Sequence, residues 1–161
     1  MEKLLIYGAS GLGREILDML NDIFSNNDKY EICGFLDDGI RQGTIIDGLP
    51  VVGGLSYLEN TTVYYSIVFA VADTKIKEYL YNKIKKMGDR FSFPIIIHPS
   101  SSVSERAMLG EGTVISRYCW VTADTELGKS VFLNTRCDIG HDSVIGDFCS
   151  LMPSVNVSGN V

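Results

Sequence analysis

IHPSSSVSERAMLGEGTVISRYCWV, residues 97–121, carries an aliphatic residue at every sixth position, and the rest of the chain keeps the count. The column runs Ile97, Val103, Leu109, Ile115, Val121, Leu127, Leu133, Ile139, Ile145, Leu151, Val157. In a chain that is 45% apolar, eleven successive hits in one phase have odds of roughly 10⁻⁴. A second column two residues earlier, from Ser101 and Ala107 through Cys119, Val131 and Cys137 to Val155, is small or β-branched throughout. Gly110, Gly128, Gly140 and Gly146 follow the aliphatic residue where a corner would need a backbone free of Cβ clashes. A period of six fits neither an amphipathic helix nor a hairpin strand. It is the mark of a parallel β-helix of hexapeptide repeats, in which about eighteen residues make one triangular coil. The expectation is a β-helix domain over 97–161 with the aliphatic column stacked inside.

Upstream the pattern changes. Leu4-Leu5-Ile6-Tyr7 reads as a buried strand, followed by the turn Gly8-Ala9-Ser10-Gly11-Leu12-Gly13 and a helix with apolar residues at Ile16, Leu17, Leu20, Ile23 and Phe24. A loop is expected over Ser25-Asn26-Asn27-Asp28, and a second strand over Tyr30 to Leu36, ending at Asp37-Asp38-Gly39. A short strand is expected near Val51 and Val52, and a third buried strand over Ser66 to Ala72. A helix over Lys75 to Met87 is expected to present Ile76, Tyr79, Leu80 and Ile84 on one face, and a fourth strand over Phe93 to Ile97 leads into the repeats. Strands alternating with helices predict a Rossmann-like α/β domain with a parallel sheet over residues 1–96.

Composition narrows the function. A formal charge of −6 argues against nucleic acid or an anionic membrane surface as partner. Apolar runs fall short of a membrane span, and the four-residue run behind Met1-Glu2-Lys3 is short for a secretory signal, so a cytoplasmic protein is expected. Three of the four cysteines, Cys119, Cys137 and Cys149, fall in the small inward column and read as free thiols rather than metal ligands.

Two places carry chemistry. In the α/β part, the glycine turn opens a helix N-terminus suited to a phosphate, and Asp37 and Asp38 end the second strand, where such sheets meet a ribose or sugar hydroxyl. The spacing G-x-x-G-x-G differs from the dinucleotide fingerprint. A nicotinamide-dependent oxidoreductase and a tight packing turn both stay open at this point, as does an ordinary Asp-Gly turn. In the repeats, His141 stands in an outward corner column between Ala123 and Gly159, eighteen residues either way, and Asp142 follows it. That arrangement offers a general base beside an exposed backbone N–H, or merely a solvated histidine. His98 precedes a proline and reads as shaping a corner. Trp120 is expected to face outward, as a subunit contact.

With these residues in place, the chain resembles the bacterial sugar acyltransferases of the left-handed β-helix class. That group contains the sialic acid O-acetyltransferases and the bacillosamine-type UDP-amino-sugar N-acetyltransferases. The shared residues are Gly8-Ala9-Ser10-Gly11-Leu12-Gly13-Arg14, Gly34-Phe35-Leu36-Asp37-Asp38, Ile97-His98-Pro99, Ile139-Gly140-His141-Asp142, Ile145-Gly146-Asp147-Phe148 and Ser158-Gly159-Asn160-Val161. The resemblance implies His141 as general base, Asp142 as the acid that raises its basicity, and acetyl-CoA as acyl donor, with no metal. Gly159 would give its N–H to the thioester carbonyl, and Ser150 would lie on the CoA side. Ser10, Gly11, Leu12, Asp37, Asp38 and Ala72 would form the pocket for a sugar or sugar nucleotide. The enzyme would be a homotrimer in surface-glycan biosynthesis; a non-catalytic trimeric scaffold that binds sugar nucleotides is the alternative. Many members carry His at the place of Leu12, Gly at the place of Ala72, and some a second His at the place of Ser150. Relative to that family the chain reads as truncated at its C-terminus, with coils expected after Val161.

Overall fold

A computed structural model describes residues 1–25 and 28–161, so residues 26 and 27 of the expected loop lie outside the described residues. The chain divides into two compact units, Met1–Ser92 and Phe93–Val161.

The first unit is an α/β sheet. Its elements are β1 (Glu2–Tyr7), α1 (Gly11–Phe24), β2 (Tyr30–Leu36), β3 (Ile45–Ile46), β4 (Leu49–Gly53), α2 (Leu55–Asn60), β5 (Tyr65–Phe69), α3 (Thr74–Lys85) and β6 (Phe91–Ser92). The strand order is β3-β4-β2-β1-β5-β6, parallel throughout except the β3–β4 pair. β1 lies in the centre, with Leu4, Leu5 and Ile6 wholly buried because both of its faces are covered. The chain leaves β1 toward β2 on one side and returns as β5 on the other. The carboxyl end of β1 is therefore the point where an open parallel sheet leaves a crevice.

Two of the three turn glycines are consumed by packing. Gly8 has φ +109, and a Cβ there would meet the Ala70 carbonyl oxygen at 2.5 Å; a Cβ on Gly13 would collide with the Gly8 carbonyl oxygen. Gly11, the first residue of α1, has open space where its Cβ would be.

Three expectations for this unit need correction. The strand expected over Phe93 to Ile97 is reduced to β7 (Ile96–Ile97), which pairs within the second unit, while the first unit's sheet ends with β6 at Ser92; Pro94, which supplies no N–H, stands between them. The third strand ends at Phe69, not Ala72. On α3 the buried stripe is Lys77, Leu80, Tyr81 and Ile84, while Ile76 and Tyr79 are 53% and 55% exposed. A lysine at the head of the buried stripe hid it from the periodicity. Asp73 caps this helix, its Oδ1 accepting from the Ile76 N–H at 2.9 Å.

The second unit is the expected parallel β-helix. Besides β7 it holds β8 (Ser102–Val103), β9 (Met108–Leu109), β10 (Val114–Ile115), β11 (Trp120–Val121) and β12 (Glu126–Leu127). They continue as β13 (Phe132–Leu133), β14 (Asp138–Ile139), β15 (Val144–Ile145), β16 (Ser150–Leu151) and β17 (Asn156–Val157). These two-residue strands make three parallel sheets, β16-β13-β10-β7, β17-β14-β11-β8 and β15-β12-β9, with residues eighteen apart in register, as Val114 is with Ile96. Ile115, Val121, Leu133 and Ile139 are wholly buried, and members nearer the ends of the stack, such as Val103 and Val157, are partly exposed.

The small column has a chemical reason. Thr113, Cys119, Cys137 and Ser143 each donate their side-chain hydrogen to a carbonyl oxygen fifteen residues on: Gly128 (3.0 Å), Asn134 (3.1 Å), Met152 (3.2 Å) and Ser158 (2.9 Å). A short donor in this column satisfies a corner carbonyl that the sheets leave unpaired. The cysteines are thus weak donors in a row of hydroxyls, and all four are free thiols.

The corners turn at a place the sequence did not signal. From Ile115 to Val157, left-handed backbone falls three residues after each aliphatic position, at Tyr118, Asp124, Ser130, Arg136, Asp142, Phe148, Ser154 and Asn160, with φ between 49° and 62°. The glycines after the aliphatic residues are not in this region. At Gly110, Gly128 and Gly140 the missing side chain instead makes room for the backbone of the next coil.

Candidate functional site

The corner that follows β14 is where the second unit gathers reactive groups. Gly140 lies against the Ser158–Gly159 peptide of the next coil, which a Cβ on Gly140 would strike. His141 comes next, its carbonyl oxygen accepting from the Asn160 N–H at 2.8 Å, and the Asp142 N–H donates to the Ala123 carbonyl oxygen at 3.2 Å. His141 is therefore stacked between Ala123 and Gly159. Asp142 has φ 58, a conformation that aspartate tolerates. Its Oδ2 lies 2.7 Å from His141 Nδ1. A carboxylate there accepts the Nδ1 proton and leaves the lone pair on Nε2. The imidazole is 63% exposed, so Nε2 can reach a ligand.

Gly159 completes the corner. A Cβ on Gly159 would stand 2.7 Å from Nε2 and 2.8 Å from Cε1 of His141, so the ring occupies the space a side chain would take. The structure thus brings together His141, Asp142 and Gly159. Ser150 is not in this cluster: it sits half-buried on β16, in the sheet β16-β13-β10-β7, whereas β14 and β17 belong to another sheet. His98 is buried, with Nδ1 accepting from the Ser100 N–H at 3.1 Å and lying 2.7 Å from Ser100 Oγ, which fits a corner-shaping residue. Trp120 is exposed on β11.

The first unit has its own cleft, of about 530 Å³, at the carboxyl ends of β1, β2 and β5. Tyr7, Gly8, Asp37 and Asp38 form its floor, and Leu55, Val71, Ile76 and Tyr79 are among the residues of its walls. Each carboxylate already has work within the chain. Asp37 accepts from the Ala9 N–H (3.0 Å) and the Gly39 N–H (2.9 Å), which fixes the glycine turn. Asp38 accepts from the Tyr7 hydroxyl (2.6 Å) and the Leu55 N–H (2.8 Å). Burial first, and then the hydrogen bond to Asp38, push the Tyr7 phenol above the usual tyrosine range. Of the expected pocket residues, Asp37 and Asp38 line the cleft. Ser10, Gly11 and Leu12 lie at the start of α1, with Ser10 exposed and making no side-chain cap, and exposed Ala72 follows Val71. Tyr7, Ile76 and Tyr79 were missed as cleft residues, because all three read as core.

Among the described residues no group of three or more His, Cys, Asp or Glu is placed to hold a metal, and no helix is long and apolar enough to cross a membrane.

A stack of hexapeptide coils with a carboxylate-bound histidine at an open corner, carried behind an α/β sheet, is the framework of the hexapeptide-repeat sugar acyltransferases. The chain is one of that class. It belongs to the PglD N-terminal domain family, which matches residues 3–84.

The chain is 27% identical over 157 residues to a GDP-perosamine N-acetyltransferase of Escherichia coli O157:H7, covering 97% of this chain and 70% of that protein. Among solved structures it is 25% identical to perosamine N-acetyltransferase from Caulobacter crescentus, a histidine-to-asparagine variant in complex with CoA and GDP-perosamine. That match has a TM-score of 0.84 and covers 99% of this chain and 72% of that one. The acetyltransferase domain of PglB from Neisseria gonorrhoeae FA1090 is also 25% identical, with a TM-score of 0.72 over 99% of this chain and 86% of that one. The shared fold is a left-handed parallel β-helix following a Rossmann-like α/β unit.

Proposed function

We propose that the chain is an acetyl-CoA-dependent acetyltransferase acting on an amino or hydroxyl group of a nucleotide-linked sugar, as a homotrimer in the cytoplasm, on precursors of surface glycans. One observation carries the reading: His141 is seated on Gly159 with Nδ1 held by Asp142 and Nε2 open. The corner fits a thioester, because Gly159 brings no side chain of its own and its backbone lies against the exposed imidazole edge. The donor supplies an activated acyl carbon.

The chain's own residues do the rest. Asp142 fixes the tautomer of His141, so Nε2 carries the lone pair. Nε2 takes the proton from the acceptor nitrogen or oxygen as it attacks the acyl carbon, and gives it to the sulfur that leaves as a thiol when the C–S bond breaks, a general acid–base contribution of about 10²–10⁴ in rate. The Gly159 N–H donates to the oxygen on which negative charge develops, and a backbone donor in a fixed coil has little reorganisation to undergo. The cleft of the α/β unit, with Asp37 and Asp38 at its floor, binds the nucleotide of the acceptor. The relatives named for perosamine favour an amino sugar as acceptor.

The test is release of CoA thiol from acetyl-CoA with a panel of UDP- and GDP-linked amino sugars and their hydroxyl counterparts. Release with one of them, and transfer of acetyl to it by mass, is the expected result. No release with any of them overturns the reading.

A further inference from the structure

Ile76 and Tyr79 are large apolar side chains, more than half exposed, on a helix whose buried stripe lies elsewhere. They are three residues apart, so they form one ridge, and that ridge is a wall of the cleft at the carboxyl ends of the strands. Leu55 and Val71 continue the apolar wall. The Tyr79 ring also borders a second hollow, lined by Lys75, Glu78, Asn82 and Lys83 among others, so it separates two open spaces. In that second hollow Lys83 Nζ stands 5.6 Å from the ring centroid, a cation–π contact that orients the ring.

Charge divides the possible occupants. The cleft lining holds two carboxylates, Asp37 and Asp38, and neither lysine nor arginine. A diphosphate is repelled by such a floor, and a hydroxyl-covered sugar gains little from the apolar wall. A flat heteroaromatic ring meets both demands: its faces suit Tyr79 and Ile76, and the N–H groups of its edge suit a carboxylate with lone pairs left over.

We infer that Tyr79 is the stacking wall for the nucleobase of the acceptor's nucleoside diphosphate, with Ile76 beside it, and that this contact sets which nucleotide the cleft selects. The inference rests on the sugar-nucleotide reading above and deepens it. The phosphates then lie outside the cleft, on the side of Gly11 and the N-terminus of α1, where open space and helix N–H groups favour an anion.

The experiment is calorimetric titration of the full chain with GDP, UDP and inorganic diphosphate, for the wild type and for Tyr79→Phe, Tyr79→Leu and Tyr79→Ala. One nucleoside diphosphate is expected to bind the wild type and Tyr79→Phe alike. Tyr79→Ala should weaken it by roughly 5- to 150-fold, the worth of one base–aromatic stack, with Tyr79→Leu between. Affinity for inorganic diphosphate should be the same in all four proteins. A wild type that binds GDP or UDP, with Tyr79→Ala folded and within twofold of it, overturns the stacking role and leaves the sugar-nucleotide reading standing. A wild type that binds neither nucleotide overturns both.

Discussion

His141 rests on Gly159: its Nε2 lies 2.7 Å from where a Cβ would be, closer than real Cβ contacts come. Gly159→Ala must therefore move the imidazole. The ring is exposed and can swing out, so the fold survives at a cost under about 1 kcal/mol. Leaving its seat carries Nε2 away from Gly159, and a misplacement of about 1 Å costs on the order of 10² in rate. Turnover should fall by that much while the urea midpoint hardly shifts; unchanged turnover would show that the seat does not matter.

Tyr7 and Asp38 tie β1 to the start of α2, since Asp38 accepts from both the Tyr7 hydroxyl and the Leu55 N–H. Tyr7→Phe removes a hydrogen bond to a charged acceptor, expected to cost about 1.5 kcal/mol in urea unfolding at neutral pH. The folded protein raises the Tyr7 pKa above its unfolded value, mainly by burial. The proton-linked contribution is therefore complete below about pH 10 and is lost as pH rises above that value. The stability gap between wild type and variant should narrow in alkali; a gap that widens would contradict this sign.

Ser130 turns a corner with φ 49 and buries a hydroxyl that has no hydrogen-bond partner among the described residues. Ser130→Ala removes a desolvated polar atom without changing the backbone demand. It should leave the chain as stable or up to about 1 kcal/mol more stable. A loss beyond 1 kcal/mol in thermal or urea unfolding would mean that the hydroxyl contributes a bond after all.

Cys119 and Cys137 lie inside the coils and give their S–H to corner carbonyls. The neighbouring Cys137 thiol, and then burial, push the Cys119 thiol up. Iodoacetamide on the native protein, read by mass spectrometry, should spare both until the β-helix unfolds. Cys33 and Cys149, which are partly exposed, should be modified earlier. Rapid native labelling of Cys137 would contradict the packed column.

The β-helix was legible because each hexad repeats the same demand, so Ile97 to Val157 announces itself by period alone. What stayed hidden depends on contacts a local pattern does not encode. Tyr118, Arg136 and Phe148 have no preference for left-handed backbone, and the stacked sheets impose it on them. Pro94 was in plain view, but which side of it pairs with which sheet is a tertiary matter. On α3, Lys77 breaks the apolar stripe it heads, so Ile76 and Tyr79 read as core when they wall the cleft. At the histidine corner the sequence went further. Eighteen-residue spacing alone put Gly159 beside His141, and an adjacent aspartate needs only the corner's left-handed turn to reach Nδ1.

The measurement that bears most directly on the account is steady-state acetyl transfer by His141→Asn and His141→Ala beside the wild type, with CoA affinity and unfolding midpoint measured on the same preparations. Asparagine keeps polarity at the corner but has no basic nitrogen. Both variants are expected to stay folded, to bind CoA like the wild type and to lose at least about 10²-fold in kcat. Wild-type-like transfer by either variant would contradict the central claim that Nε2 of His141 is the base.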